Sequence, residues 1–336
     1  MSYRVSRPAS VTLIALSIVL VACTRAPPPE PGPAPSPAPV TTPANPPAQR
    51  ALVLGGGGPV GRAWEVGILK AFQDAGVDVN RADLMVGTSS GANLATQIRS
   101  GMNVSSLYDT LMATGNSPPP PPSGAEPGFD PTYAAQTQEP ARDALRTAPE
   151  VAPEIRKQVG QMALVAPRMV PEEVAIRNNM APLGDVRSWP VQPLKIAAGD
   201  VTDGTIRFFD RTQDVPIERA LAASNALPGQ IAPITIGDRR YMDGFVGGAN
   251  IDAAAGTGIL LVLWTGAAES PVFQAEVARA RSRGSQVFAI APDPDGRAAM
   301  GPNNQDLTKR APSVQTGLRQ GKTLAAEAKA FWKKDG

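Results

Sequence analysis

Two successive strand–turn–helix units begin the predicted folded part of the chain. Of all its sequence features, they most restrict the fold that the chain can adopt. The first unit runs from a short apolar strand at 50–54 through a glycine-rich turn at 55–61 into a helix. The second runs from a strand at 84–86 through GTSSG at 87–91 into another helix. Two neighbouring parallel strands joined by a helix place both turns at one carboxyl edge of an α/β sheet, where active sites of open α/β folds lie.

The second turn has the spacing G-x-S-x-G, which is the strand-to-helix elbow that exposes a serine hydroxyl. Ser89 is its central residue, and Gly87 and Gly91 have no side chain to clash in so tight a turn. Ser90 is the alternative nucleophile, but it would lie one residue into the helix and face away. Because the chain contains no histidine, the base for such a serine must be a carboxylate or a lysine.

The first turn has two functional interpretations and a packing one. Backbone N–H groups at a helix start suit a developing oxyanion or a phosphate, and the nearby serine elbow favours an oxyanion hole. The candidate donors are four glycines, Gly56, Gly57, Gly58 and Gly61. Three of them also fit the dinucleotide pattern G-x-G-x-x-G, but no acidic residue ends the second strand as that site requires. A Walker A loop is excluded because Arg62 follows where lysine is needed. The third interpretation is a tight turn that is rich in glycine only for packing.

Asp243 is the candidate base for Ser89. Two short strands are predicted at 233–236 and 239–242, and Asp243 ends the second, where it can meet a serine on a neighbouring loop. Asp200 and Asp203 compete with it, although Asp203 precedes a glycine in a pair typical of plain turns. The residues alone leave the choice of base open.

The first 49 residues resemble an export and anchoring segment. Segment 1–23 has basic residues before an apolar stretch that is too short to span a bilayer, as in a signal peptide. It ends in LVAC, which resembles the bacterial lipobox and predicts lipidation of Cys23; the alternative is an ordinary signal peptide cut near Ala22. Thr24 after the cysteine implies the outer membrane of a Gram-negative cell envelope. The proline-rich segment 24–49 is predicted to be an extended tether.

Composition narrows the remaining function classes. The 36 prolines among 336 residues favour one globular domain plus extended segments, and the proline run at 118–122 predicts an exposed loop. A net charge of +2, without a basic run interleaved with aromatic residues, argues against nucleic acid as a partner. With no histidine and one cysteine, histidine metal sites and thiolate clusters are excluded. We predict no metal and no cofactor for this chain.

Four sequence blocks resemble, in order, the conserved blocks of patatin-like phospholipases. They are LVL leading to GGG at 52–58, GTSSGA at 87–92, ASNALP at 223–228 and YMDG at 241–244. The resemblance implies a three-layer αβα fold with a mostly parallel central sheet over 50–336. It further implies a dyad of Ser89 and Asp243 instead of a triad, an oxyanion hole from the glycine block, and hydrolysis of lipid acyl esters without a nucleotide.

Three positions depart from the family's usual pattern. Val60 stands where the family usually has arginine or lysine, and Arg62 follows two residues later. Phe245 follows the Asp-Gly pair where glycine or alanine is usual, and Ser90 stands where alanine is common. The first two departures favour an alternative, a membrane-tethered lipid-binding or scaffolding protein that kept the fold and lost turnover.

Region 102–190 carries no family motif and is predicted to form a cap over the site. Its apolar side chains have two interpretations, an acyl pocket or ordinary helix packing. These side chains are Met162, Leu164, Val165, Met169 and Val170. A further helix is predicted over 315–334, docked on the sheet with its lysines outward.

Overall fold

The computed structural model describes residues 49–114, 130–167 and 169–333. The predicted signal peptide, the lipidation site at Cys23, the tether up to residue 48 and the proline run at 118–122 lie outside the described residues. No helix in the described part of the chain is both long and apolar enough to cross a membrane.

A central eight-stranded sheet organises the fold. Its strands are β1 (Arg50–Leu54), β2 (Leu84–Thr88), β3 (Leu194–Asp200), β4 (Ile206–Phe209), β5 (Ile234–Ile236), β6 (Arg239–Asp243), β7 (Ile259–Leu263) and β8 (Gln286–Ile290). Seven strands lie in the order β5-β6-β3-β2-β1-β7-β8, and β4 pairs with β3. The central run from β3 to β8 is parallel, whereas β4, β5 and β6 pair antiparallel. The mostly parallel sheet that the sequence predicted is therefore confirmed.

Helices cover both faces of this sheet. They are α1 (Gly58–Asp74), α2 (Ser90–Arg99), α3 (Val104–Thr114), α4 (Pro131–Thr147), α5 (Pro153–Leu164), α6 (Glu172–Met180), α7 (Ile217–Ser224), α8 (Pro271–Ser282), α9 (Pro294–Met300) and α10 (Arg310–Trp332). Successive strand side chains point to opposite faces. Leu52 and Leu54 pack with α1 and α10, whereas Ala51 and Val53 pack with α8. The three-layer αβα architecture is thus confirmed, and it explains why β1 is apolar at nearly every position.

The close packing of α1 against α10 anchors the helix that follows the glycine turn. A Cβ atom added to Gly317 of α10 would lie 3.0 Å from the Trp64 carbonyl carbon of α1, so glycine permits this approach. The Trp64 indole N–H donates a hydrogen bond to Gln320 Oε1 of α10 at 3.1 Å. The helix predicted over 315–334 is therefore present as α10, with Val314 and Ala328 buried.

Candidate active site

Ser89 occupies a strained turn between β2 and α2. Its φ of 52° and ψ of −124° lie in a region that non-glycine residues rarely adopt. The flanking glycines are required by close approach: a Cβ at Gly91 would lie 2.5 Å from the Leu54 carbonyl oxygen, and one at Gly87 would lie 2.8 Å from the Ala92 nitrogen. This turn has the geometry of a nucleophile elbow.

The structure brings Ser89 and Asp243 into direct contact. Ser89 Oγ donates a hydrogen bond to Asp243 Oδ2 at 2.7 Å. Asp243 is 0% exposed and Ser89 is 6% exposed. Asp243 lies at the end of β6, whose antiparallel pairing with β3 aligns it with Ala198. The competing acids bind another residue: Asp200 and Asp203 both accept hydrogen bonds from the Arg239 guanidinium.

Burial makes Asp243 a stronger base than an ordinary aspartate. Loss of hydration raises the pKa of its carboxyl group to about 7. Three weaker effects oppose this rise in pKa: hydrogen bonds from the Phe245 N–H and the Ser89 hydroxyl, and the charge of Arg142. The Phe245 N–H donates to Asp243 Oδ1 at 2.9 Å, which leaves Oδ2 to the serine. A carboxyl group with this pKa is matched to proton transfer near neutral pH.

A single segment, the ASNALP block at 223–228, holds both members of this pair. Ser224 Oγ accepts the Ser89 N–H at 2.8 Å. The Ala226 carbonyl accepts the Asp243 N–H at 2.9 Å. The sequence marked this block by its resemblance to the family, but only the structure reveals that it fixes the backbone on each side of the serine–aspartate contact.

The glycine turn lies against the serine, and its N–H groups differ in availability. Gly56, Gly57 and Gly58 line the same pocket as Ser89. The Gly57 N–H donates to Ser90 Oγ at 3.1 Å. The Gly61 N–H donates to the Gly57 carbonyl at 2.9 Å, and Gly61 does not line the pocket, so we leave it out of the oxyanion hole. Within the described residues, the N–H groups of Gly56 and Gly58 donate to no protein acceptor.

The residues that depart from the family's usual pattern have different roles in the structure. Val60 is fully buried and brings no charge to the site. Arg62 does not replace the family's basic residue in the pocket, because its guanidinium donates to Gln97 and it does not line the cavity. Phe245 lines the pocket beside Asp243. Ser90 is the acceptor for the glycine turn rather than a second nucleophile facing the cavity.

The pocket over Ser89 has a volume of about 560 Å³, a size typical of small-molecule sites. Its large apolar side chains come from several elements, namely Leu145, Leu227, Phe245, Trp264 and Met300. The charged side chains that line it are Arg142, Arg146, Asp243 and Glu269. The described residues contain no group of three or more histidine, cysteine, aspartate or glutamate side chains that could hold a metal ion.

The acyl-pocket interpretation of residues 162–170 is wrong. None of its five side chains lines the pocket, and Leu164 and Val165 are 37% and 74% exposed. Within the predicted cap region, α4 instead reaches the site. It contributes Arg142, Leu145 and Arg146.

An αβα fold with a serine elbow, an aspartate against the serine and a glycine turn at one sheet edge has the arrangement of serine acyl hydrolases. The sequence model of patatin-like phospholipase matches residues 52–255, which is more than half of the chain. The chain therefore belongs to the patatin-like phospholipase family.

Two solved structures are similar to the chain. VipD from Legionella pneumophila shares 15% identity with a TM-score of 0.44, over 84% of this chain and 67% of VipD. The type III effector protein ExoU shares 20% identity with a TM-score of 0.32, over 82% of this chain. The match spans about half of the ExoU chain, 54%. No curated protein matches the sequence significantly.

Proposed function

We propose that this protein is a serine hydrolase of lipid acyl esters, in which Ser89 is the nucleophile and Asp243 is the base. The observation that carries the proposal is the 2.7 Å hydrogen bond from Ser89 Oγ to Asp243 Oδ2 at the floor of an apolar-lined pocket. Membership of the patatin-like phospholipase family supports acyl esters of lipids as the substrate class.

The reaction has two steps, formation of an acyl-enzyme on Ser89 and its hydrolysis by water. Asp243 Oδ2 accepts the Ser89 proton while Oγ attacks the ester carbonyl carbon, and the N–H groups of Gly56 and Gly58 donate to the oxyanion. The bond from the carbonyl carbon to the ester oxygen breaks, and the alcohol leaves with the proton held by Asp243. A water molecule then attacks the acyl-enzyme, Asp243 takes its proton and returns one to Ser89, and the fatty acid is released.

The lipid anchor remains part of this proposal. A lipidated Cys23 followed by a long tether would hold the pocket near a membrane surface, where its substrate resides, and several buried acyl chains give firm attachment. The outer membrane of a Gram-negative bacterium is the location that the lipobox-like sequence favours.

The alternative function is a lipid-binding or scaffolding protein without turnover, and Phe245 in the pocket wall favours it. A fluorophosphonate probe, which reacts only with an activated serine, separates the two. We expect the full chain in detergent to be labelled on Ser89, as mapped by mass spectrometry, and Ser89→Ala to remain unlabelled while Ser90→Ala is labelled. A wild-type protein that resists the probe and hydrolyses neither p-nitrophenyl esters nor phospholipids would instead support the scaffolding role.

The pH dependence of hydrolysis should follow Asp243. Because the base must be deprotonated and its pKa is about 7, kcat/KM should rise about tenfold per pH unit below that value and level off above it. Glu276 also has a pKa raised to about 7 by burial, but its carboxylate accepts the N–H groups of Ala249 and Ile251. Folded Glu276→Gln should keep the acid limb of the profile, and a limb near pH 4 in the wild type would contradict this assignment of the base.

A further inference from the structure

The charged side chains that line the pocket differ in whether they form ion pairs. Arg146 forms ion pairs with Glu139 at 2.6 Å and Asp143 at 3.4 Å. Arg142, one turn earlier on α4, forms no ion pair with any described residue, although it lines the pocket with Ser89. Two acidic side chains also line the pocket, Asp243, which is buried, and Glu269, which is exposed. The pocket therefore presents one half-buried guanidinium, that of Arg142, which forms no ion pair within the described part of the chain.

Arg142 is held in place rather than left free to move. Its Nη2 donates to Gln138 Oε1 at 2.7 Å, and Gln138 Nε2 donates to the Pro228 carbonyl at 2.9 Å. Gln138 is only 3% exposed. Pro228 ends the ASNALP block that also fixes Ser89 and Asp243. The guanidinium is thus oriented from the same segment as the reacting groups, and most of its N–H donors bind no acceptor among the described residues.

Arg142 also lies within electrostatic reach of the reacting carboxyl group, since its charge opposes the rise in the pKa of Asp243. The glycine turn supplies no such charge, because Val60 is apolar and Arg62 is directed to Gln97. The cations that line the pocket, Arg142 and Arg146, therefore both come from α4.

We propose that Arg142 is the anion-recognition residue of this pocket, and that it determines how strongly the enzyme prefers lipids with a phosphate group next to the scissile ester over neutral lipids. A planar guanidinium fork matches two phosphate oxygens and binds them more strongly than a neutral donor does. The inference rests on the proposed hydrolase function and names the residue that sets its lipid specificity.

The test compares two substrates that differ only in the phosphate, dioctanoyl phosphatidic acid and dioctanoylglycerol, at about pH 9, above the Asp243 pKa, so that the base is deprotonated in every variant. We expect Arg142→Gln to lower kcat/KM for the phosphatidic acid about tenfold to a hundredfold relative to dioctanoylglycerol, because hydrogen bonds to a charged group are lost. Arg142→Lys should lose less, because it keeps the charge without the fork. Arg146→Gln removes an equal charge from the same helix. It should change the ratio of kcat/KM for the two lipids less, because Arg146 is already paired with Glu139 and Asp143.

An equal loss on both substrates, or a larger discrimination by Arg146→Gln, would overturn the assignment to Arg142. If the wild type hydrolyses neither lipid, the hydrolase proposal fails. The role of Arg142 in anion recognition can still be tested by measuring lipid binding. Calorimetric titration of Ser89→Ala should show tighter binding of the phosphatidic acid than of dioctanoylglycerol, and Arg142→Gln should abolish the difference. Inorganic phosphate that binds as tightly as the phosphatidic acid would overturn the lipid headgroup as the ligand.

Discussion

Ser89→Ala and Asp243→Asn should each lower kcat for a lipid ester by about four to six powers of ten, as expected when one member of a cooperating catalytic unit is removed. Ser89→Ala removes the attacking oxygen, and Asp243→Asn removes the group that accepts its proton. The measurement is release of fatty acid by purified protein. Asp203→Asn is the matched control, because Asp203 is a competing acid that instead pairs with Arg239. Turnover near the wild-type rate in either variant would remove the pair from the reaction.

The same Asp243→Asn variant should gain stability at alkaline pH, which separates lost chemistry from lost folding. The folded pKa of Asp243 is raised from 3.8 to about 7. This group therefore contributes stability below its unfolded pKa, and that contribution is lost as the pH rises through about 7. A shift of this size corresponds to about 4 kcal/mol at most.

Asparagine avoids that loss because it is neutral and can still accept the Phe245 N–H and donate to Ser89 Oγ. Urea unfolding at about pH 8.5, above the raised pKa, and at about pH 4 should show a stabilised variant only at the higher pH. A variant that is less stable than the wild type at both pH values would mean that burial does not strain the Asp243 carboxylate.

The elbow and the glycine turn could be predicted because their determinants are local. A strand followed by GTSSG requires glycine at two positions, and the structure gives the contacts behind each requirement, the Ala92 nitrogen for Gly87 and the Leu54 carbonyl for Gly91. Parallel pairing of β1 with β2 then places the two turns side by side. The position of Asp243 beside Ser89 needed more than local pattern, because it depends on β6 entering the sheet next to β3.

The pocket wall could not be predicted because it depends on packing between distant segments. Arg142 looks like any arginine on an amphipathic helix, and only the path through Gln138 to Pro228 distinguishes it. The sequence prediction places Gly61 among the oxyanion donors because the sequence does not reveal where the helix begins. Since α1 begins at Gly58, the Gly61 N–H is already used within the helix.

Gly91→Ala should destabilise the protein by about 3 kcal/mol or more, because the new methyl group has no room to relax. Its Cβ would lie 2.5 Å from the Leu54 carbonyl oxygen and would also meet that of Gly55. Leu54 ends β1 and Gly55 directly follows it, and β1 is held in the sheet by β2 on one side and β7 on the other. Moving the elbow away instead would separate Ser89 from Asp243. Urea unfolding measures the loss of stability, and ester hydrolysis by the folded fraction should fall with it.

Gly101→Ala, just beyond the other end of α2, is the matched control. No atom lies within 4 Å of a Cβ added there, but its φ is +88°, so the variant carries only the cost of a left-handed residue, about 1–2 kcal/mol. Gly91 does not have a left-handed φ, so any loss of stability in Gly91→Ala beyond that of Gly101→Ala comes from the close approach of the elbow to β1. If Gly91→Ala is no less stable than Gly101→Ala, the carboxyl end of β1 moves to accommodate the methyl group, and the elbow does not require glycine at position 91 for reasons of space.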